Sequence, residues 1–282
     1  MEHDTLTAAQ FEDFRQIIGT HLGIKMPPTK QVMLQGRLHR RLRELGLPSL
    51  EEYHRRFFED PAQQAAELEN LLNVVTTNKT DFFREAVHFE VLAREALPEW
   101  LRERRPGPFR VWCAGCASGE EAYTLAMTLL ESRSQLDFAF QILATDVSTA
   151  VLETAMRAVY PEAHVAPIPA ALRSKYLLRS RDRSDPKVRI APTVRSCVRF
   201  GHLNFLAPDY GLTDSYDAIF FRNVMIYFDR ETQRQVVAKM CRNLRVGGRL
   251  FISHSETLQG QPLPLELLSP AVYRRIPGEV AP

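Results

Sequence analysis

A chain of 282 residues with 45% hydrophobic and 25% charged side chains has the makeup of an ordinary globular protein, long enough for one large domain or two modest ones. The formal net charge of +2 excludes a partner selected by bulk charge, so any electrostatic recognition has to be local. Four cysteines are too few for a disulfide scaffold, the first residues (MEHDTLTAAQFEDF) lack the apolar centre of a signal peptide, and no run of about 18 apolar residues could cross a bilayer; together these predict a cytoplasmic protein with reduced thiols.

Residues 5 to 75 read as helical, predicting an all-α domain over residues 1–75. Thr7 is a candidate N-cap ahead of Phe11, Phe14, Ile17 and Ile18 at helical spacing. Leu34, Leu38, Leu42 and Leu45 then form one stripe that stops at Gly46, and Ser49 with Glu52 spells a capping box for a third helix. QQAAELENLLNVV predicts a fourth, and residues 76–107 are expected to link it to the rest of the chain. From residue 108 the texture changes. Short apolar strands in FRVWCAG, FAFQILATD, YDAIFFRNVMIYF and RLFISH alternate with the helices EEAYTLAMTLLESR, TAVLETAMRAVY and RETQRQVVAKMCRNLRVGG. This predicts an α/β domain over 108–282, a mostly parallel sheet covered on both faces with its ligand site beyond the C-terminal strand ends. Residues 176–202 break the rhythm: the β-like runs Val188–Ile190 and Cys197–Phe200 predict a small inserted antiparallel β-subdomain.

The stretch VWCAGCASGEEAYTLA (Val111–Ala126) admits two readings. Trp112 ahead of Cys113 and Cys116 is the spelling of a thioredoxin-type redox pair. The same residues form a strand–loop–helix junction whose small residues, Ala114 to Gly119, let backbone approach a nucleotide-like ligand. Glu120 and Glu121 at the helix start disfavour a phosphate and suit a ligand with a positive end; without Gly-Lys-Ser/Thr this is not a P-loop. An ordinary tight turn, its acids complementing the helix dipole, is the plainer alternative. Asp146 ends the second strand, where an acid commonly accepts hydrogen bonds from ribose hydroxyls, although it or Ser148 could simply cap the next helix. Taken together, a nucleoside with a cationic end and no phosphate suggests S-adenosylmethionine.

Further stretches carry a family resemblance. TTNKTDFFRE (Thr76–Glu85), the Gly119-Glu120-Glu121-x-Tyr123 turn, FFRNVMIYF (Phe220–Phe228) and the late His254-Ser255-Glu256 occur in the order found in the chemotaxis receptor methyltransferases, the CheR family, which the chain resembles over nearly its whole length. The resemblance implies a Rossmann-like S-adenosylmethionine-dependent methyltransferase domain, an all-α N-terminal domain and a small antiparallel β-subdomain. It implies methyl transfer from S-adenosylmethionine to glutamate side chains of chemoreceptors, leaving methyl esters and S-adenosylhomocysteine. Asn78, Thr80 and Arg84 would lie over the cofactor, Glu121 would take its ammonium, Asp146 its ribose hydroxyls, and Asn204 and Phe205 would flank the adenine. Arg222 and Asn223 would close the pocket, and Arg84 and Tyr227 would be nearest the transferred methyl and the incoming carboxylate. No metal is implied.

The partner implied is an acidic receptor helix. Lys30, Arg37 and Arg41 recur at helical spacing with Arg40 and Arg43 beside them, and no Asp or Glu falls between Lys25 and Arg43. A solvated helix face is the alternative. Nucleic acid fits poorly, since no aromatic residues interleave with these basic ones. Other signalling proteins are further candidate partners, and a monomer is expected. In the β-subdomain the turn RSRDRSDPK lacks the Gly-rich hairpin with which some family members tether a receptor C-terminal peptide, so Arg179, Arg181, Arg183 and Arg189 have no assigned partner. Three other functions compete. A thiol oxidoreductase leaves Asp146, Arg222–Tyr227 and the helical region unexplained, and a DNA amino-methyltransferase wants Asn/Asp-Pro-Pro-Tyr where this chain has Arg-Asn-Val-Met. The third, a non-catalytic S-adenosylmethionine-binding signalling protein, has no need of both Arg84 and Tyr227.

Overall fold

The computed structural model describes residues 4–279, and the chain divides there into two compact units. One runs to Thr77 and includes the distant stretch Tyr227–Thr232; the other holds Asn78–Ile226 and the segment from Gln233 onward. Of residues 76–107, expected as a linker with a cofactor-site motif and a helix, those from Asn78 onward group with the second unit, and Phe89, Leu92 and Trp100 lie in its core. The outermost expected limits, residues 1 and 282, fall outside the described residues.

The first unit contains α1 (Ala8–Leu22), α2 (Gln31–Leu45), α3 (Leu50–Glu59) and α4 (Pro61–Val75). Thr7 caps α1 reciprocally with Gln10, and left-handed glycines at Gly23 and Gly46 end α1 and α2. Ser49 caps α3 through the Glu52 N–H, but the Glu52 carboxylate turns instead to Arg55 and Arg56, so only half of the expected box forms. Phe14 is fully buried and packs against Tyr53, Phe57 and Phe58, while Ile18, Leu34, Leu38 and Leu42 close the same core. Leu45, expected to continue the leucine stripe, is exposed at the helix end, where the chain turns away at Gly46.

The second unit opens with α5 (Val87–Val91), a π-helical turn at Leu92–Ala96 and α6 (Leu97–Arg102). Then come β1 (Phe109–Ala114), α7 (Glu120–Arg133), β2 (Phe140–Asp146), α8 (Thr149–Arg157), β3 (Val159–Pro161) and α9 (Ala170–Tyr176). β4 (Leu177–Arg179), β5 (Lys187–Ile190), α10 (Pro192–Arg195), β6 (Val198–His202) and β7 (Tyr216–Phe220) are next in order. The chain closes with α11 (Arg230–Asn243), β8 (Leu244–Phe251), β9 (Leu265–Ser269) and β10 (Val272–Arg275).

Seven strands form one sheet in the order β6-β2-β1-β7-β8-β10-β9, parallel from β6 to β8 and antiparallel at β10 and β9. Every residue of β7 is buried, as a central parallel strand has no wet face; Ala218–Phe220 are apolar, and Asp217 is accommodated by the Arg110 N–H and Arg245. The chain leaves β1 towards β2 on one side and returns to β7 on the other. The loops after β1 and β7 therefore flank the point where strand order reverses, the usual ligand crevice of such a sheet.

A separate antiparallel sheet has the order β3-β5-β4. The predicted subdomain at 176–202 is thus shifted: it starts at β3, and the Cys197–Phe200 run leaves it to become β6, pairing in parallel with β2. An edge strand carries the same half-buried alternation as a hairpin strand, so the sequence pattern did not separate the two.

Gly248 lies in a tight part of β8 beside β7: an added Cβ would meet the Arg245 carbonyl and Leu244 Cδ1 of its own strand at 2.8 Å and the Asp217 carbonyl of β7 at 3.0 Å. Gly36, within α2, has nothing within 4 Å of that position. Gly248→Ala should cost about 1–3 kcal/mol and Gly36→Ala should gain about 0.5–1 kcal/mol, read as opposite shifts of the urea or thermal midpoint.

Candidate functional site

The loop after β1 packs its backbone closely against neighbouring parts of its unit. Gly115 (φ 82°), Ala117 (φ 46°) and Gly119 (φ 97°) all take left-handed backbone, and the N–H groups of Gly115 and Cys116 donate to the Thr145 carbonyl at 2.8 and 2.9 Å. A Cβ on Gly115 would come within 2.6 Å of Val224, and one on Gly119 within 2.9 Å of Ala155. Asp146 joins this loop to the next. One carboxylate oxygen accepts from the Ala117 N–H and the other from the Ser148 N–H, each at 2.9 Å. Ser148 itself caps α8, so Asp146 is not the N-cap and keeps spare acceptor sites. Burial pushes the Asp146 carboxyl up, and the backbone N–H groups partly counter that.

Glu120 and Glu121 open α7. Glu120 is buried, accepts from the Ser118 hydroxyl at 2.7 Å, and is pushed up by burial. Glu121 accepts from Arg222 Nη1 at 2.8 Å through Oε2, while Oε1 faces only the Cys113 thiol at 3.3 Å. Cys113 and Cys116 are fully buried, and burial pushes both thiols well up, so they stay protonated. An inaccessible pair of thiols, one of them inside a central strand, does not carry the redox chemistry their spacing suggests.

Arg222 comes just after β7 with its side chain 1% exposed. Besides Glu121 it donates to the Arg84 carbonyl, stands 3.6 Å from Glu85, and lies over the Phe89 ring at 5.5 Å. Asn223 takes left-handed backbone (φ 60°), with its N–H on Glu256 and its side-chain amide on the Ser253 hydroxyl at 2.8 Å. Glu256 also accepts from the N–H groups of Ser253 and Ile226, so the late His-Ser-Glu stretch clamps the turn after β7.

The stretch before α5 meets this cluster. Phe83 and Glu85, on either side of Arg84, both have positive φ (55° and 54°), a conformation costing on the order of 1–3 kcal/mol per residue that recurs at functional sites. Arg84 is half-buried and donates to the Lys79 carbonyl at 3.2 Å; Asn78 and Thr80 are half-buried beside it in sequence. Asn204 accepts from the Leu206 N–H, and buried Phe205 packs edge-on against Phe221.

Sequence reasoning misses Glu85, His88 and His254 as site residues, although an acid and a histidine three apart in an otherwise apolar stretch are a legible signal. Glu85 accepts from the Ser253 hydroxyl and His254 Nδ1, each at 2.8 Å. Burial pushes its carboxyl up, but His254, Arg222 and Ser253 outweigh that and hold it at about 2. His88 is fully buried with no hydrogen bond at either nitrogen; burial and the Arg222 charge bring it down to about 4. The ligating atoms of these three residues lie within 4.8 Å of one another. The two imidazoles, however, stack at 4.7 Å and 7°, so their in-plane lone pairs run parallel instead of converging on one ion.

The basic residues expected to face a partner lie in the helical unit and divide in two. Arg37 donates to the Thr76 carbonyl and Thr77 hydroxyl, and Arg41 makes a fork on Glu67 and a further bond to Glu44. Lys30 stands 5.7 Å from the Tyr227 ring, whose residue belongs to the same unit, and Arg40 and Arg43 are exposed.

A parallel sheet with a strand-order reversal, a glycine loop ringed by Glu120, Glu121 and Asp146, and no basic phosphate cradle define a nucleoside-cofactor site of the methyltransferase kind. The acids fit a cation, and the two glycines let the loop pack directly on Val224 and Ala155, where a side chain would not fit. Comparison with known proteins agrees. Residues 78–273 match the family described as "CheR methyltransferase, SAM binding domain", and residues 9–76 match "CheR methyltransferase, all-alpha domain". The chain is 37% identical over 250 residues to chemotaxis protein methyltransferase 2 of Pseudomonas aeruginosa, covering 89% of this chain and 87% of that one. It is 36% identical over 269 residues to the chemotaxis protein methyltransferase of Escherichia coli (92% and 91%), and 34% over 275 residues to that of Borreliella burgdorferi (96% and 95%). The chain belongs to the CheR methyltransferase family, and its cofactor is S-adenosylmethionine. Among the described residues no helix is long and apolar enough to cross a membrane.

Asp146→Ala should weaken S-adenosylhomocysteine binding in calorimetry by about ten-fold or more, the size of one charged hydrogen bond. Removing both thiols (Cys113→Ala with Cys116→Ala) should leave that affinity within about three-fold, since S–H is a weak donor. His88 gives a pH signature. The ordinary imidazole titrates near 6.5, so the unfolded chain takes up this proton first. The associated stability is complete above about pH 6.5 and declines as the pH falls towards 4. The thermal midpoint should drop across that window, and His88→Phe should remove that component of the drop.

Proposed function

We propose that this chain methylates glutamate side chains on the cytoplasmic methylation helices of chemoreceptors, yielding glutamate methyl esters and S-adenosylhomocysteine, within the adaptation branch of chemotaxis-type signalling. The observation that carries this reading is likeness to chemotaxis protein methyltransferases along nearly the whole chain, at both ends of which the expected domains are found.

The chemistry asks little of acid–base catalysis. At neutral pH a glutamate is already ionised, so no general base is needed. When bound, S-adenosylmethionine supplies a methyl group made electrophilic by a sulfonium. The residues of this chain then have to hold, orient and shield. Glu121 takes the ammonium through the oxygen that Arg222 leaves open, and Asp146 takes ribose hydroxyls through its spare lone pairs. Asn78 and Thr80 cover the cofactor, Asn204 and Phe205 flank the adenine, and Asn223 shapes the pocket wall. Arg84 orients the incoming carboxylate as a fork. Too tight a pair with Arg84 would blunt the nucleophile, so its role is orientation.

Partner recognition falls to the exposed cations of the helical unit. Arg40 and Arg43 are free of the internal duties that occupy Arg37 and Arg41, and with Lys30 they offer positive charge to an acidic helix. Receptor-containing membranes incubated with radiolabelled S-adenosylmethionine should acquire base-labile label; base-stable label would identify a different acceptor. Arg40→Glu with Arg43→Glu should slow that labelling by about ten-fold while leaving S-adenosylhomocysteine affinity unchanged.

A further inference from the structure

Arg222 is a buried guanidinium between two carboxylates, and it is evenly matched to neither. It makes one hydrogen bond to Glu121 Oε2 at 2.8 Å, turns its other terminal nitrogen to the Arg84 carbonyl, and leaves Glu85 Oε2 at 3.6 Å. Its Nε has no hydrogen-bond partner. A guanidinium left alone with one carboxylate closes as a two-pronged fork, which here would consume both oxygens of Glu121. That does not happen, and Oε1 of Glu121 keeps only a weak thiol donor.

The Arg84 carbonyl takes the hydrogen bond from that second terminal nitrogen, and Glu85 beside it competes for the guanidinium by charge. Glu85 is held from three sides: the Ser253 hydroxyl on Oε1, and His254 Nδ1 with the His254 N–H on Oε2. Ser253 in turn accepts from Asn223, and the His254 ring lies flat on buried His88. Glu85, Ser253, His254 and His88 all stand outside the set through which the cofactor is read.

We propose that Glu85 is a positioning residue: fixed by Ser253 and His254, it draws Arg222 partway off Glu121 and so keeps one Glu121 oxygen open for the cofactor's ammonium. This rests on the reading of Glu121 as the ammonium acceptor. Charge adds to geometry. Two carboxylates share one guanidinium, leaving the pocket with an excess of negative charge that favours a cation. Removing Glu85's charge weakens Glu121 twice over, by lowering that excess and by releasing Arg222 to close on it.

The test compares two ligands by calorimetry: S-adenosylhomocysteine, which carries the ammonium, and 5′-methylthioadenosine, which lacks the amino-acid end. Glu85→Gln should weaken the first by about ten-fold, the size of one charge-assisted hydrogen bond, and leave the second unchanged. His254→Ala should act in the same direction, and His254→Asn, whose amide can still donate to Glu85, should restore most of the loss. Equal weakening of both ligands in Glu85→Gln, or no weakening of either, overturns the proposal. Glu121→Gln separates the two layers: it must itself lower affinity for S-adenosylhomocysteine selectively. If it does so and Glu85→Gln does not, the positioning role fails alone; if it does not, the reading of Glu121 fails with it.

Discussion

A positive charge removed from water is the constraint around which the catalytic unit is arranged. Arg222 stands at the end of β7 with its side chain buried. A guanidinium in such a place is tolerable only when its surroundings supply acceptors and opposite charge. Those come from chain segments far apart: Glu121 opening α7, the Arg84 carbonyl and Glu85 ahead of α5, and the Phe89 ring face. Immediately after Arg222 the chain must turn through the left-handed Asn223, and Glu256 takes up the N–H groups that this turn exposes. The Asn-x-Thr-x-Phe-Phe-Arg stretch, the Glu-Glu helix start, the Arg-Asn turn and the late His-Ser-Glu thus meet in one polar network. Motifs that look independent along the sequence are the parts of a single electrostatic arrangement.

The same arrangement accounts for ligand class. A helix start after a glycine loop ordinarily welcomes an anion. Here Glu120 and Glu121 occupy it and Asp146 spans the neighbouring loop, so the local field favours a cation with hydroxyls to share. Burial pushes Glu120 and Asp146 up. The nearby thiols sit in this acid-rich, dry setting and are driven further towards the protonated form. Cys113 then serves as a small, weak donor within a strand.

The range of the forces involved decides which features are legible in the sequence. Helix starts at Thr7, Ser49 and Asp60 depend on neighbours within three residues, and the first two are readable on that account. The β1–loop–α7 junction and Asp146 are readable because strand–loop–helix order fixes where such residues fall. Partner choice among strands is not: Val198–His202 looks like a hairpin strand until β2 is seen beside it. Charge pairing is hidden for the same reason. Arg37 and Arg41 lie within a few residues of Arg40 and Arg43 in sequence, but only the fold reveals that Glu67 and the end of α4 claim the first two. Glu85 and His254, separated by 169 positions, cannot be paired by any local rule.

The stretch Tyr227–Thr232 groups with the helical unit although the chain on either side of it groups with the sheet. The two units are therefore interleaved along the polypeptide instead of being joined end to end. No single cut yields both intact: a fragment stopping at Thr77 lacks the residue whose carbonyl accepts from the Lys25 N–H, and the complementary fragment carries that strip without its partners. Exchanging the helical unit for that of a relative would likewise mean grafting two segments. The helical unit and Tyr227 therefore have to be inherited together.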